Sequence, residues 1–308
     1  MFPGQSSRCR EMLARAVAAS PSACAVVREA SEILGRNLAK ELAPHAPALF
    51  NDNRSVQVGV FLVSHIYLRK LAAHGIRSAL SLGLSLGEYN HLVDIGALGF
   101  ADALKLVDAR GRLYAEGPPG MMTSVFPADE AAVQRILSEV GAGVAISNFN
   151  SPSQLVIAGP RDATARAAAL FEEREFGQAL VIEDRIPMHT LLFRPVARKL
   201  RPYLEAADFR KVAGPYFPNV AGAPIPRAEP AAIVESLFQH VFSPVQWRRS
   251  IDAVLALLPD AVFVEVGPKR VLCNLLARRW VANERFAVDD QGIDAVIAQL
   301  QKRLAAAG

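Results

Sequence analysis

Gly83-Leu84-Ser85-Leu86-Gly87 is the stretch from which the fold is read. Before it, Ile76 to Leu82 is a short apolar run with the length of a buried strand. After it, an amphipathic helical run begins at Leu86. Strand, tight turn and helix in that order predict an α/β architecture. Working outward, Val56 to His74 is apolar almost all round, which predicts a helix buried on every side, with Gly75 as its C-cap. Ser20 to Leu42 has a helical pattern.

From Met121 the texture changes. Met122 to Phe126 reads as a strand, and Asp129 to Val140 as a helix with Val133, Ile136, Leu137 and Val140 on one face. Val144 to Asn148 and Gln154 to Ala158 read as strands flanking the turn Ser151-Pro152-Ser153. Ala163 to Phe176 reads as a helix and Ala179 to Glu183 as a strand. The order β-α-β-β-α-β is the ferredoxin-like pattern. It predicts a small subdomain over 121–188, inserted into a larger α/β domain made of 1–120 and 189–308. The larger domain resumes with a helix over Leu191 to Ala206. It closes with a strand over Ala261 to Val266, the turn Gly267-Pro268 and a helix over Val271 to Arg279.

Composition bounds the function. With 308 residues, 51% hydrophobic and 21% charged, the chain is globular and long enough to need no disulfide or metal staple. A net charge of +4 without a dense Lys/Arg run excludes nucleic acid as the expected partner. Cys9, Cys24 and Cys273 are odd in number and lack metal-ligand spacing, so neither a disulfide framework nor a metal site is expected. No signal peptide opens the chain, and Val56 to Leu68 is too short to span a bilayer and contains Gln57, Ser64 and His65. The expectation is a soluble cytoplasmic protein.

The pattern Gly-x-Ser-x-Gly between strand and helix predicts an exposed nucleophile at Ser85. The glycines matter because side chains flanking so sharp a turn would clash. The helix N-terminus beyond it offers free N–H groups to a developing negative charge. A serine at neutral pH needs a base. Of the six histidines, His65 and His74 lie on or at the end of the buried helix, and His91 falls nearly opposite Ser85 on the helical wheel. His189, where the small subdomain returns to the large one, and His240 are rivals on spacing alone.

These residues carry a resemblance that spans nearly the whole chain. The sequence resembles the malonyl-CoA:acyl carrier protein transacylase family of fatty acid and polyketide synthesis. Phe2-Pro3-Gly4-Gln5 is similar to the family's FPGQ opening, and Gly83-Leu84-Ser85-Leu86-Gly87-Glu88-Tyr89 to its GHSLGEY. Gly96-Ala97-Leu98 and Arg110-Gly111 follow at the family's spacing. Asn150-Ser151-Pro152-Ser153-Gln154 opens a stretch similar to NSPGQVVIAG. His189 falls in the family's histidine slot, Pro244-Val245-Gln246-Trp247 resembles PVRW, and Glu265-Val266-Gly267-Pro268 matches EVGP.

The resemblance implies a large α/β-hydrolase-like domain with a parallel sheet plus the small ferredoxin-like subdomain. It implies Ser85 as nucleophile, His189 as base, and the backbone carbonyl at His240 as the group that orients that base. The His240 side chain is then incidental, the family usually having Gln there. The N–H groups of Gln5 and Leu86 would form the oxyanion hole. Arg110 would bind the free carboxylate of a malonyl-type acyl group, since a planar guanidinium fork matches a carboxylate. On residues alone, Arg110 reads rather as a surface helix arginine.

The chain departs from the family pattern at Leu84 in place of His, Ser6 in place of Gly, Met188 before the histidine, and Asn90-His91 after Tyr89. Leu84 and Met188 are expected to shape the acyl pocket. Almost nothing precedes Phe2, so the first strand is expected to be curtailed or the true start to lie upstream. The implied reaction is ping-pong acyl transfer from malonyl-CoA to the phosphopantetheine thiol of an acyl carrier protein, with no metal or other cofactor. It is expected from a monomer acting in trans, in polyketide assembly lines lacking a built-in acyltransferase. The rival is an editing hydrolase of the same fold that removes acyl groups from the carrier protein. Arg110 leans against it, because an acetyl unit has no carboxylate to bind.

Overall fold

The computed structural model describes residues 1–47, 51–212 and 214–307. Two sheets organise it. The first is a ladder of very short segments. Phe2 N–H donates to the Leu82 carbonyl at 2.9 Å, and Leu84 N–H to the Phe2 carbonyl at 3.0 Å. On the other side the Met1 ammonium donates to the Val264 carbonyl, and Val266 N–H to the Met1 carbonyl. Strand β5 (Phe263–Glu265) then runs parallel to β6 (Arg285–Ala287). The spatial order is therefore Leu82–Leu84, Met1–Phe2, β5, β6.

The strand expected over Ile76 to Leu82 reduces to one parallel bridge, between Phe2 and Gly83. A ladder extends only as far as its partner, and here the partner is Met1 and Phe2. The helix expected over Ser20 to Leu42 breaks at Gly35, which is left-handed (φ 61°), into Ala23–Leu34 and the single turn Leu38–Glu41. The helix expected over Val271 to Arg279 stops at Leu275. Arg285 donates to the carbonyls of Leu276 and Val281, which takes the chain round a turn instead.

The helix Asn53–Ala73 is buried along nearly its whole circumference, as its composition predicts. It packs within the main apolar cluster beside the helix Phe100–Ala115. Asp52 caps it, its carboxylate accepting from the N–H groups of Arg54 and Ser55.

The second sheet is antiparallel, in the order β2-β3-β1-β4: Ala145–Ser151, Gln154–Gly159, Met121–Phe126 and Gln178–Glu183. Helices Glu130–Val140 and Arg161–Glu175 cover one face, burying Val133, Ile136, Ala167 and Phe171 against Val125, Leu155 and Ile157. The strand order and crossovers are ferredoxin-like. Among the described residues, backbone hydrogen bonds tie this sheet and its connecting segments in at two places. Phe149 N–H donates to the Val245 carbonyl and Val245 N–H to the Ser147 carbonyl. Gly120 N–H donates to the Arg185 carbonyl, closing the two connecting segments side by side. That closure delivers His189, four residues further on, toward the Ser85 turn. No helix among the described residues is long and apolar enough to cross a membrane.

Candidate active site

Ser85 sits in the left-handed region (φ 52°) between Gly83 and the helix Gly87–Asp94. A Cβ on Gly83 would lie 2.0 Å from the Gly87 carbonyl, and one on Gly87 would lie 2.1 Å from the Phe2 carbonyl. Only glycine fits at either position. A non-glycine residue held at positive φ costs about 1–3 kcal/mol, so the surroundings must hold it there. Asn219 does so. Its side-chain oxygen accepts from Ser85 N–H at 2.9 Å, while its amide donates to the Gly83 carbonyl at 2.7 Å and to Glu88 Oε2 at 2.8 Å.

The Ser85 hydroxyl lies between two cationic or basic groups. His189 Nε2 is 2.9 Å from Ser85 Oγ, and Arg110 Nη2 donates to the same oxygen at 3.1 Å. His189 Nδ1 is 2.8 Å from the His240 carbonyl. A carbonyl only accepts, so Nδ1 carries the proton and Nε2 presents its lone pair to the serine hydroxyl. His189 itself has φ 60°, and burial, with His240 and Arg110 nearby, pushes its pKa well below the usual histidine value. A neutral imidazole is thereby kept beside the hydroxyl.

Arg110 is 1% exposed and has no carboxylate within ion-pair distance among the described residues. Its guanidinium lies 4.1 Å from the centroid of the Tyr114 ring and donates through Nη1 to Gln57 Oε1. Gln57 in turn donates to Gln5 Oε1 at 3.2 Å, and the Gln5 amide to Glu183 Oε2 at 3.4 Å. Four elements are thus linked by one polar chain inside an apolar surround.

The structure brings Ser85, His189, Arg110 and the His240 carbonyl together. The backbone N–H groups of Gln5 and Leu86 donate no hydrogen bond among the described residues, which leaves both available beside the turn. Leu84 and Met188 fall in different apolar clusters. Leu84 is half-buried against Leu82, Phe217 and Val245, and Met188 is buried with Ile186 and Phe193. The His240 side chain is not incidental. Its Nδ1 is 2.8 Å from Glu88 Oε2, and its ring stacks on His189 at 4.8 Å and 12°.

Asn219, Gln57 and Glu88 were not singled out as site residues by sequence reasoning. Gln57 had a signal, being a polar residue inside an apolar helix, and Glu88 stood in the quoted motif. Asn219 had none. Cavities of about 740, 890 and 510 Å³ lie elsewhere, and none is lined by Ser85, His189 or Arg110. Ser85 itself is 8% exposed.

Residues 1–303 match the acyl transferase domain family. The chain is similar to the malonyl CoA-acyl carrier protein transacylase of Escherichia coli O157:H7, at 34% identity over 90% of this chain and 91% of that one. It superposes on the crystal structure of the malonyl CoA-acyl carrier protein transacylase from Clostridium perfringens with a TM-score of 0.90, 27% identity, and coverage of 99% and 98%. It also superposes on a malonyl-transacylase solved in complex with its type II polyketide synthase acyl-carrier protein, with a TM-score of 0.85, 31% identity and 94% coverage of each.

Proposed function

Since the chain belongs to the acyl transferase family and is an enzyme of the malonyl-CoA:acyl carrier protein transacylase kind, we propose that it works through a malonyl ester on Ser85. His189 Nε2 takes the Ser85 proton, and the oxygen attacks the thioester carbonyl of malonyl-CoA. The N–H groups of Gln5 and Leu86 receive the charge that develops on the carbonyl oxygen. The tetrahedral intermediate collapses, the C–S bond breaks, and the coenzyme A thiolate leaves with the proton from His189. In the second half the phosphopantetheine thiol of an acyl carrier protein gives its proton to His189 and attacks the acyl-serine. Ser85 then departs with that proton. The His240 carbonyl holds the base in the required tautomer throughout.

The observation that carries the reading is Arg110: a buried guanidinium beside the nucleophile with no acidic partner among the described residues. Its fork suits the free carboxylate of a malonyl group, and a carboxylate brought into so dry a cleft requires a paired cation. We place the enzyme in polyketide synthesis, supplying a separate carrier protein in trans. The likeness to a transacylase solved with its polyketide carrier protein supports that setting.

The test compares malonyl- and acetyl-CoA as donors for wild type and Arg110→Ala with carrier protein saturating. Leaving a charged, hydrogen-bonded pair half-made costs about 2–5 kcal/mol, so the malonyl/acetyl ratio of kcat/KM is expected to fall more than about tenfold. Faster hydrolysis of acetyl-carrier protein by wild type than malonyl transfer would replace the transferase by the editing hydrolase.

A further inference from the structure

Beneath the base lies a second imidazole that the acyl-transfer chemistry does not use. His240 is 2% exposed. Its Nδ1 is 2.8 Å from Glu88 Oε2, and its Nε2 has no partner among the described residues. A carboxylate only accepts, so His240 Nδ1 carries a proton toward Glu88. Its ring lies nearly parallel to that of His189, with centroids 4.8 Å apart. The same Glu88 oxygen accepts from Asn219, which holds the Ser85 backbone. One carboxylate oxygen therefore braces the nucleophile through Asn219 and the base through His240.

We propose that the His240 imidazole is a positioning residue for His189: braced by Glu88, it is the floor against which the base ring is held facing Ser85, and it sets the lower pH limit of nucleophile activation.

The His240 ring acts on His189 in two ways. The first is geometric. The carbonyl bond at Nδ1 fixes one atom of the His189 ring but leaves rotation about that bond free. A flat ring packed against its face removes that freedom, and the Glu88 contact keeps this ring from turning. The second is electrostatic. The charged or titratable groups facing His189 are Arg110 from the helix Phe100–Ala115, His240 from the helix Pro230–His240, and Glu88 from the elbow helix behind His240. Tyr216, on the connecting segment, donates to the other Glu88 oxygen. A second imidazole stacked 4.8 Å away disfavours a positive charge on His189, as Arg110 does. A neutral amide there would keep a donor for Glu88 yet exert no such opposition. With that opposition removed, His189 would take up its proton, and the base would be lost, at a higher pH.

This inference rests on His189 as the base of the proposed reaction. Its test therefore uses two probes: malonyl-CoA, and a fluorophosphonate that labels an activated serine without needing an acyl pocket. Rates are followed from pH 5 to 8 for wild type, His240→Gln and His240→Leu. In His240→Gln the acid midpoint of fluorophosphonate labelling is expected to rise by roughly 0.5 pH unit or more. In His240→Leu the plateau is expected to fall about tenfold with the KM for malonyl-CoA little changed, a loss of orientation rather than of binding. A His240→Gln profile that coincides with wild type overturns the proposal, and it decides alone if the Leu variant fails to fold. If the fluorophosphonate profile shifts as stated while malonyl-CoA leaves no adduct, the substrate assignment fails and the positioning role stands.

Discussion

At the residue scale, the proposed reaction asks different things of two histidines. The His189 ring is the group that takes the proton, while His240 contributes its carbonyl and the brace behind the base. Loss of general-base help typically costs 10²–10⁴-fold. His189→Ala should therefore slow Ser85 acylation by at least about a hundredfold, and His240→Ala should stay well short of that. A stopped-flow comparison of the two variants checks the ranking, and the reverse order would exchange their roles. Asn219 offers a second test at this scale. Asn219→Ala leaves the Ser85 N–H and the Gly83 carbonyl without a side-chain partner and takes one of two side-chain donors from Glu88 Oε2. An unsatisfied buried polar group costs about 1–3 kcal/mol. Urea unfolding should show a loss of that order or larger, together with slower acylation, since the nucleophile loses its brace.

At the element scale, the turn at Ser85 is the feature on which the site depends. Gly83→Ala would put a methyl group into the Gly87 backbone, so the turn has to open. A shift of about 1 Å at a reacting group is enough to cost roughly a hundredfold, and kcat for Gly83→Ala should fall at least that far while the far-UV spectrum is kept. The strand–turn–helix order made this element legible, because glycine spacing and apolar periodicity are local. The four-strand antiparallel sheet was legible for the same reason: alternation and helical spacing over 122–183 give both element order and crossovers. The strand expected over Ile76 to Leu82 does not form. Its apolar content is real, but whether it pairs depends on a partner nearly eighty residues away in sequence, Met1 and Phe2. The network of Gln57, Glu88, Asn219 and the His240 ring was illegible for a related reason. Each of those residues is ordinary in its own segment, and only the packed helices bring them to one carboxylate and one guanidinium.

At the scale of the whole molecule, the buried histidines tie stability to pH. Burial pushes His65 and His91 down to about 4, and His189 also lies well below the usual value. His91 accepts from Phe217 N–H through Nε2, a bond that protonation would break. The unfolded chain takes up these protons near pH 6.5, and the folded chain does not. Their contribution is therefore complete above that pH and is lost as pH falls toward 4, by up to about 1.4 kcal/mol per pH unit for each group. Glu265, pushed up by burial, opposes this in part. The unfolding free energy at pH 5 should be roughly 2–4 kcal/mol below that at pH 7. His65→Phe, which keeps an aromatic ring against Phe100, should remove roughly 1–2 kcal/mol of that difference. Equal urea midpoints at the two pH values would contradict this.

The central claim is that a malonyl group passes through Ser85 to a carrier-protein thiol, and intact-mass spectrometry reads it directly. Wild type and Ser85→Ala are each mixed with malonyl-CoA, weighed, then mixed with phosphopantetheinylated carrier protein and weighed again. One malonyl group is expected on wild type and none on Ser85→Ala. On adding carrier protein, that mass should leave the enzyme and appear on the carrier. A full adduct on Ser85→Ala, or malonyl lost from wild type as free acid without reaching the carrier, would contradict it.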